Sequence, residues 1–165
     1  MSLDIPDGTV CFIDSNILYY ALVSTPPVSE HCLAFLNRVI AGKISATVSV
    51  PVLSDTLHKV MMAEVAAITQ RDRAGIVGYL GKHPEIITRL TEYPRAMDRL
   101  STIPMNFLPL NQAFLHEAAS LAVRHGLLTN DAIIVTLMQQ HGLVHLATND
   151  DDFDRVPGIT IWKPR

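Results

Sequence analysis

Two cysteines in 165 residues leave little room for disulfide or zinc chemistry. Cys11 lies in a short apolar run and Cys32 in a stretch with helical periodicity. No paired ligand spacing joins them, so both are expected as buried, reduced thiols. The seven histidines are equally scattered, and His141 and His145 straddle Gly142, which keeps them off a common helix face. No apolar run is long enough to cross a bilayer, and Met1-Ser2-Leu3-Asp4-Ile5-Pro6-Asp7 lacks the basic and apolar regions of a secretory signal. The expectation is a cytoplasmic chain with no membrane association. Repeats and low-complexity tracts are missing too. No Gly-rich phosphate loop with a following Lys-Ser/Thr succeeds the first apolar run, and no Ser-His or Cys-His nucleophile pattern stands out.

Positive charge is missing where negative charge collects. The net charge of -3 offers no general attraction for nucleic acid. Between residues 131 and 154, however, there are five aspartates and no Lys or Arg, whereas Arg71, Arg73, Lys82, Arg89, Arg95 and Arg99 crowd into 71–99. Such segregation suits a metal held at one place and a phosphate backbone held at another. With 48% apolar and 18% charged residues, the chain reads as one domain with one core. A mean hydropathy of +0.25 points to some apolar surface covered by a partner.

Periodicity supplies the order of elements. Residues 9–13 form a continuous apolar run between Gly8 and Asp14, as a strand buried on both faces would. A helix is expected over 17–22, and another from an N-cap at Ser29 to a stop at Gly42. Residues 44–50 alternate as a second strand, and Pro51 suits the first turn of a helix with Leu53, Leu57, Val60 and Met61 inward. Asp55 lies about 200° around that helix from Leu53, facing a cleft or solvent. Gly and Pro punctuate 69–103 into short helical pieces such as 86–90 and 95–100, read as a helical insertion. A third strand at 107–110, a helix ending at Gly126, a helix capped by Thr129 and buried all round, and strands at 143–147 and 159–161 follow. Strands alternating with helices make this a three-layer α/β/α fold around a mostly parallel sheet of four to five strands.

Four aspartates fall where such a chain turns: Asp14, Asp55, Asp131 and Asp150. In parallel sheets, ligands bind beyond the carboxyl ends of the strands, and Asp14 and Asp150 are both there. Converging carboxylates repel one another unless a cation lies between them, so the set points to a hard divalent metal. Each has a plainer reading: Asp14 as a helix cap, Asp131 as a first-turn charge, Asp55 as the partner of Lys59 four residues on. The alternate Asp150, Asp152 and Asp154 do not make a calcium loop, because Arg155 stands where a turn glycine is needed and Ile161 where a bidentate glutamate is needed. An aspartyl-nucleophile phosphatase wants a second aspartate two residues after Asp14, where Asn16 stands.

Phe12-Ile13-Asp14-Ser15-Asn16-Ile17-Leu18, Ser49-Val50-Pro51-Val52-Leu53-Ser54-Asp55, Thr129-Asn130-Asp131-Ala132-Ile133-Ile134 and Leu146-Ala147-Thr148-Asn149-Asp150-Asp151-Asp152-Phe153 resemble, in order, the motifs of PIN-domain nucleases, and of the VapC-like ribonuclease toxins in particular. The resemblance covers nearly the whole chain outside 69–103. It implies an endoribonuclease dependent on Mg2+ or Mn2+, an RNA substrate, a small antitoxin partner and a homodimer. Asp14, Asp131 and Asp150 would then ligate metal directly or through water. Asp55 would orient the attacking water or help hold a metal, and Asn16 and Thr148 would fix the carboxylates by hydrogen bonds. Arg71, Arg73, Arg89, Arg95 and Arg99 are candidate RNA contacts, against the plainer expectation of salt bridges with Asp72, Glu85, Glu92 and Asp98. Two departures stand out: Asp55 replaces the family's usual glutamate, and the insertion lengthens the chain. Glu64 cannot substitute, since nine residues along a helix turn it about 180° away. Other readings are a weakened PIN fold serving as a binding module, and a phosphatase using Asp14 as nucleophile.

Overall fold

Residues 3–164 are described in the computed structural model, apart from the side chain of Arg73. Strands β1 (Val10–Ile13), β2 (Ser45–Ser49), β3 (Met105–Leu108), β4 (His145–Ala147) and β5 (Thr160–Trp162) form one sheet in the order β3-β2-β1-β4-β5. Every neighbouring pair is parallel. Helices α1 (Ser15–Leu22), α2 (Val28–Ile40), α3 (Val50–Thr69), α4 (Ile76–Leu80), α5 (Glu92–Ser101), α6 (Gln112–His125) and α7 (Thr129–Gln140) flank it in three layers. The apolar run of β1 has its cause here: Cys11, Phe12 and Ile13 are fully buried in the centre of a sheet covered on both faces. β3 ends two residues earlier than expected, because Pro109 has no N–H to extend the ladder beyond Leu108.

This strand order creates the crevice. The chain leaves β1 on one flank for β2 and β3, then returns to place β4 on the other flank, so the connections diverge at the carboxyl ends of β1 and β4. Ile13 pairs with Ala147, and the Asp14 amide donates to the Ala147 carbonyl at 3.0 Å. The residues after each strand, Asp14 and Thr148, are therefore brought side by side.

Two expected caps are corrected. Ser29 does not cap α2: the helix starts at Val28 with Pro27 at the cap, and the Ser29 hydroxyl accepts from the Thr25 amide at 3.1 Å. Thr129 is the first residue of α7, with Leu128 extended before it and no side-chain cap. α7 is buried from Ala132 through Met138, as its uniform apolarity predicts. Gly126 ends α6 in the left-handed conformation, φ 65°, which an L side chain adopts poorly.

Helix α3 divides its work along its length. Val52, Leu53 and Val60 are buried, while Leu57 and Met61 of the expected stripe are half-buried. The second half, with Met61, Met62, Val65 and Ala66, packs against Ile76, Leu80, Ile86 and Leu90 in an apolar cluster of its own. The expected helix at 86–90 is a 3-10 turn, Pro84–Arg89, and that at 95–100 lies inside α5. Glu64 joins these parts by accepting the amides of Thr91 (2.7 Å), Glu92 (3.0 Å) and Tyr93 (2.8 Å) at the start of α5. Among the described residues, no single helix is long and apolar enough to cross a membrane.

Candidate functional site

Asp14 is 5% exposed and extended in backbone, which lets it cap α1 while its carboxylate faces the crevice. Oδ1 accepts from the Ser15 amide at 2.6 Å, with the Ser15 hydroxyl oxygen 3.1 Å away. Oδ2 accepts from Asn16 Nδ2 and, at 2.7 Å, from Thr148 Oγ1. Asn16 also donates to Thr148 Oγ1 and accepts from the Asn149 amide, each at 3.0 Å, so it ties the end of β1 to the turn after β4. Asn16 and Thr148 thus both donate to the Asp14 carboxylate. Burial pushes the Asp14 carboxyl above its ordinary range even though Thr148, Lys59 and Ser15 pull the other way.

Asp55 enters from the first half of α3. Its Oδ2 accepts the Ser15 hydroxyl at 2.6 Å and pairs with Lys59 Nζ at 2.7 Å. The plain expectation of an i,i+4 ion pair and that of a cleft-facing carboxylate therefore both hold. Burial pushes Asp55 up, but hydrogen bonds from Lys59 and Ser15 outweigh it and hold the group below its usual range.

Asp131, in the first turn of α7, approaches Asp150 and Asp152. One oxygen from each of the three lies within 4.8 Å of the other two. Asp150 follows β4 and caps a 3-10 turn, Asp151–Arg155, by accepting the Asp152 amide at 2.8 Å. That turn swings Asp152 back toward Asp131. Arg155 pairs with Asp152 and donates to the Gly126 carbonyl at 2.8 Å, linking this turn to the chain entering α7. The Asp131 carboxyl is pushed up to about 6 by burial first, then by the charges of Asp14, Asp150 and Asp152, with Lys59 opposing. Asp151 and Asp154 belong elsewhere: both pair with the buried Lys163.

One cleft of about 50 Å³, room for a few water-sized bodies, is lined by Asp14, Asp55, Asp131 and Asp150 together with Ser49 and Lys59. All four aspartates singled out in the sequence thus face a single space. Ser15, Ser49 and Lys59 add to them, and Asp152 approaches Asp131 and Asp150 beside the cleft. Asp152 had a sequence signal, the alternate aspartates, but the calcium pattern these failed to match does not foretell a 3-10 turn. Ser49 ends β2 fully buried, and its hydroxyl has no hydrogen-bond partner. Arg71, Arg89, Arg95 and Arg99 lie apart from the cleft's walls. Arg95 and Arg99 pair with Glu92 at 3.0 and 2.7 Å, Arg71 covers the Tyr79 ring at 4.1 Å, and Arg89 is exposed. The side chain of Arg73 is outside the described residues.

An all-parallel sheet with an acidic crevice at its switch point defines a class of α/β proteins that bind ligands at the strand ends. Within that class the chain belongs to the PIN domain family, which matches residues 11–159. It is similar to Ribonuclease VapC6 of Methanocaldococcus jannaschii, 26% identical over 155 residues that span 92% of this chain and 95% of that protein. Ribonuclease VapC2 of the same organism is 27% identical over 150 residues, 91% of each. Among solved structures, a chain of a toxin-antitoxin complex from Klebsiella pneumoniae superposes with TM-score 0.53 at 24% identity, over 94% of this chain and 98% of that one. Mycobacterium tuberculosis VapC20, described as a sarcin-ricin loop cleaving toxin, gives TM-score 0.56 at 17% identity, over 90% and 96%. At such identities the structural likeness speaks for the fold.

Proposed function

We propose that this chain is a metal-dependent endoribonuclease and the toxin of a toxin-antitoxin pair. The observation that carries the reading is the convergence of Asp131, Asp150 and Asp152 within 4.8 Å, backed by Asp14, in a chain whose full-length relatives are named ribonucleases. The donors fit Mg2+ or Mn2+: they are all oxygens, and burial together with mutual repulsion raises Asp131 to about 6. The unpartnered Ser49 hydroxyl on the cleft wall is a further polar group for a hydrated ion to satisfy. Asp131, Asp150 and Asp152 would hold the ion, with Asp14 acting directly or through water. When bound, it supplies Lewis-acid neutralisation of the scissile phosphodiester.

The chain's own groups do the rest. Thr148 and Asn16 keep the Asp14 carboxylate in one orientation. Asp55, anchored through Oδ2, orients the attacking water. RNA, cut internally, lies along the adjoining wider cleft walled by Asn16, Tyr20, Lys59, Asn149 and Asp150. The proposed site of action is the cytoplasm. An apolar groove of Leu18, Leu22, Leu33, Leu36, Ile40 and Ile103, where Leu33 and Ile40 are about half exposed, supports a small antitoxin covering α1 and α2. The homodimer implied by family resemblance is tested by light scattering on the chain alone.

The test is cleavage of a mixed RNA pool with Mg2+, with and without chelator. Cutting should need the ion and fall by at least about 100-fold in Asp14→Asn. Chelator-insensitive cutting sinks the proposal. The phosphatase reading is disfavoured by the three hydrogen bonds that occupy both Asp14 oxygens. A trapped phospho-aspartate at position 14 would restore it.

A further inference from the structure

The cleft contains one cation among its lining residues, Lys59. Its Nζ lies 2.7 Å from Asp55 Oδ2 and 2.7 Å from Ser15 Oγ. The Ser15 hydroxyl gives its proton to Asp55 Oδ2 at 2.6 Å, and its oxygen stands 3.1 Å from Asp14 Oδ1. Lys59, Ser15, Asp55 and Asp14 thus form one continuous network. It is separate from the three carboxylates, Asp131, Asp150 and Asp152, whose oxygens gather closely enough for one ion. A second ion cooperating with the first has to lie about 3.5–4 Å from it. The lining carboxylates left to hold it are Asp14 and Asp55. Asp14 has both oxygens engaged by donors, and Asp55 has one shared between Ser15 and an ammonium.

We propose that the Lys59 ammonium takes the place of a second divalent cation, so that the crevice binds one ion per chain. This rests on the nuclease reading and makes it more specific. It also accounts for aspartate at position 55. A side chain that reaches a lysine one turn along its own helix does not have to reach an ion across the cleft. Lys59 supplies positive charge on the Asp14–Asp55 side, while Asp131, Asp150 and Asp152 take the ion on the other.

Isothermal titration with Mn2+ separates the possibilities, with folding of each variant checked by circular dichroism. The wild type and Lys59→Arg should each bind one ion per chain. Lys59→Met and Lys59→Gln should each bind close to two, because the Asp55 carboxylate and the Ser15 hydroxyl lose their resident cation. Two ions on the wild type, or a single ion on both neutral variants, overturns the role of Lys59 and leaves the nuclease reading intact. Absence of Mn2+ binding by all four proteins overturns both.

Discussion

Asp131 is held in an unfavourable state by its neighbours. Its carboxyl is raised to about 6 by burial and by Asp14, Asp150 and Asp152, so without a cation it binds a proton more tightly in the folded chain than in the unfolded one. The sign follows: stability is lost as pH rises from the ordinary aspartate range near 4 through 6. Asp131→Asn should therefore stabilise the metal-free protein at pH 7.5 by roughly 1–2 kcal/mol, after discounting for solvent, and leave it unchanged near pH 4. Thermal melts in chelator at the two pH values check this. The same variant should lose RNA cleavage, the usual opposition between a strained site and a stable one. Equal melting temperatures at pH 7.5 would mean the carboxylates are not repelling one another.

At the scale of elements, the joints decide stability. Glu64 on α3 accepts three amides at the start of α5, doing for a neighbouring helix what a cap residue does for its own. Glu64→Ala should destabilise by about 1–2 kcal/mol, read as a lower denaturation midpoint in urea at pH 7. Burial pushes Glu64 up, but these amides outweigh it and hold the carboxyl low. Its stabilisation is thus present above the ordinary glutamate range and is lost as pH falls below about 4, where the variant and wild type should converge. The turn at 151–155 is a second joint. Lys163, 5% exposed, pairs with Asp151 and Asp154 and so pins the turn that carries Asp152. Lys163→Met should weaken Mn2+ binding several-fold by titration, with the far-ultraviolet spectrum unchanged.

The elements differ in how well the sequence announces them. β1 and α7 are legible because burial on all sides leaves nothing polar to place, and the apolar run says so directly. Ser29 and Thr129 mislead because capping chemistry is common to many turns. A serine two residues into α2 can serve Thr25 as well as it could serve its own helix. Residues 69–103 are hard to read because their cluster is completed by the rest of α3, so no local period carries the whole pattern. In the crevice, the aspartates are legible from their positions at strand and helix ends. Lys59, by contrast, reads only as a helix-surface partner until Ser15 is seen to bridge it to Asp14.

For the whole molecule, ion binding and folding are linked. The candidate ligands come from α7 and from the turn after β4, and Asp14 behind them comes from the end of β1. An ion that binds only the folded arrangement stabilises it by RT ln(1 + [L]/Kd), about 2.7 kcal/mol at a hundredfold excess over Kd. Mn2+ should therefore raise the melting temperature of the wild type by several degrees and that of Asp131→Asn by far less, as scanning fluorimetry can show.

The strand order also sets a schedule. β4 lies beside β1 at the middle of the sheet, yet it is fourth in sequence, and Thr148, Asp150 and Asp152 follow it. A nascent polypeptide that has emerged from the ribosome as far as α7 already carries Asp14, Asp55 and Asp131 but has no one to share them with. Under the proposed activity, RNA stays uncut until the fourth strand slots home and delivers the last carboxylates to the ones already waiting.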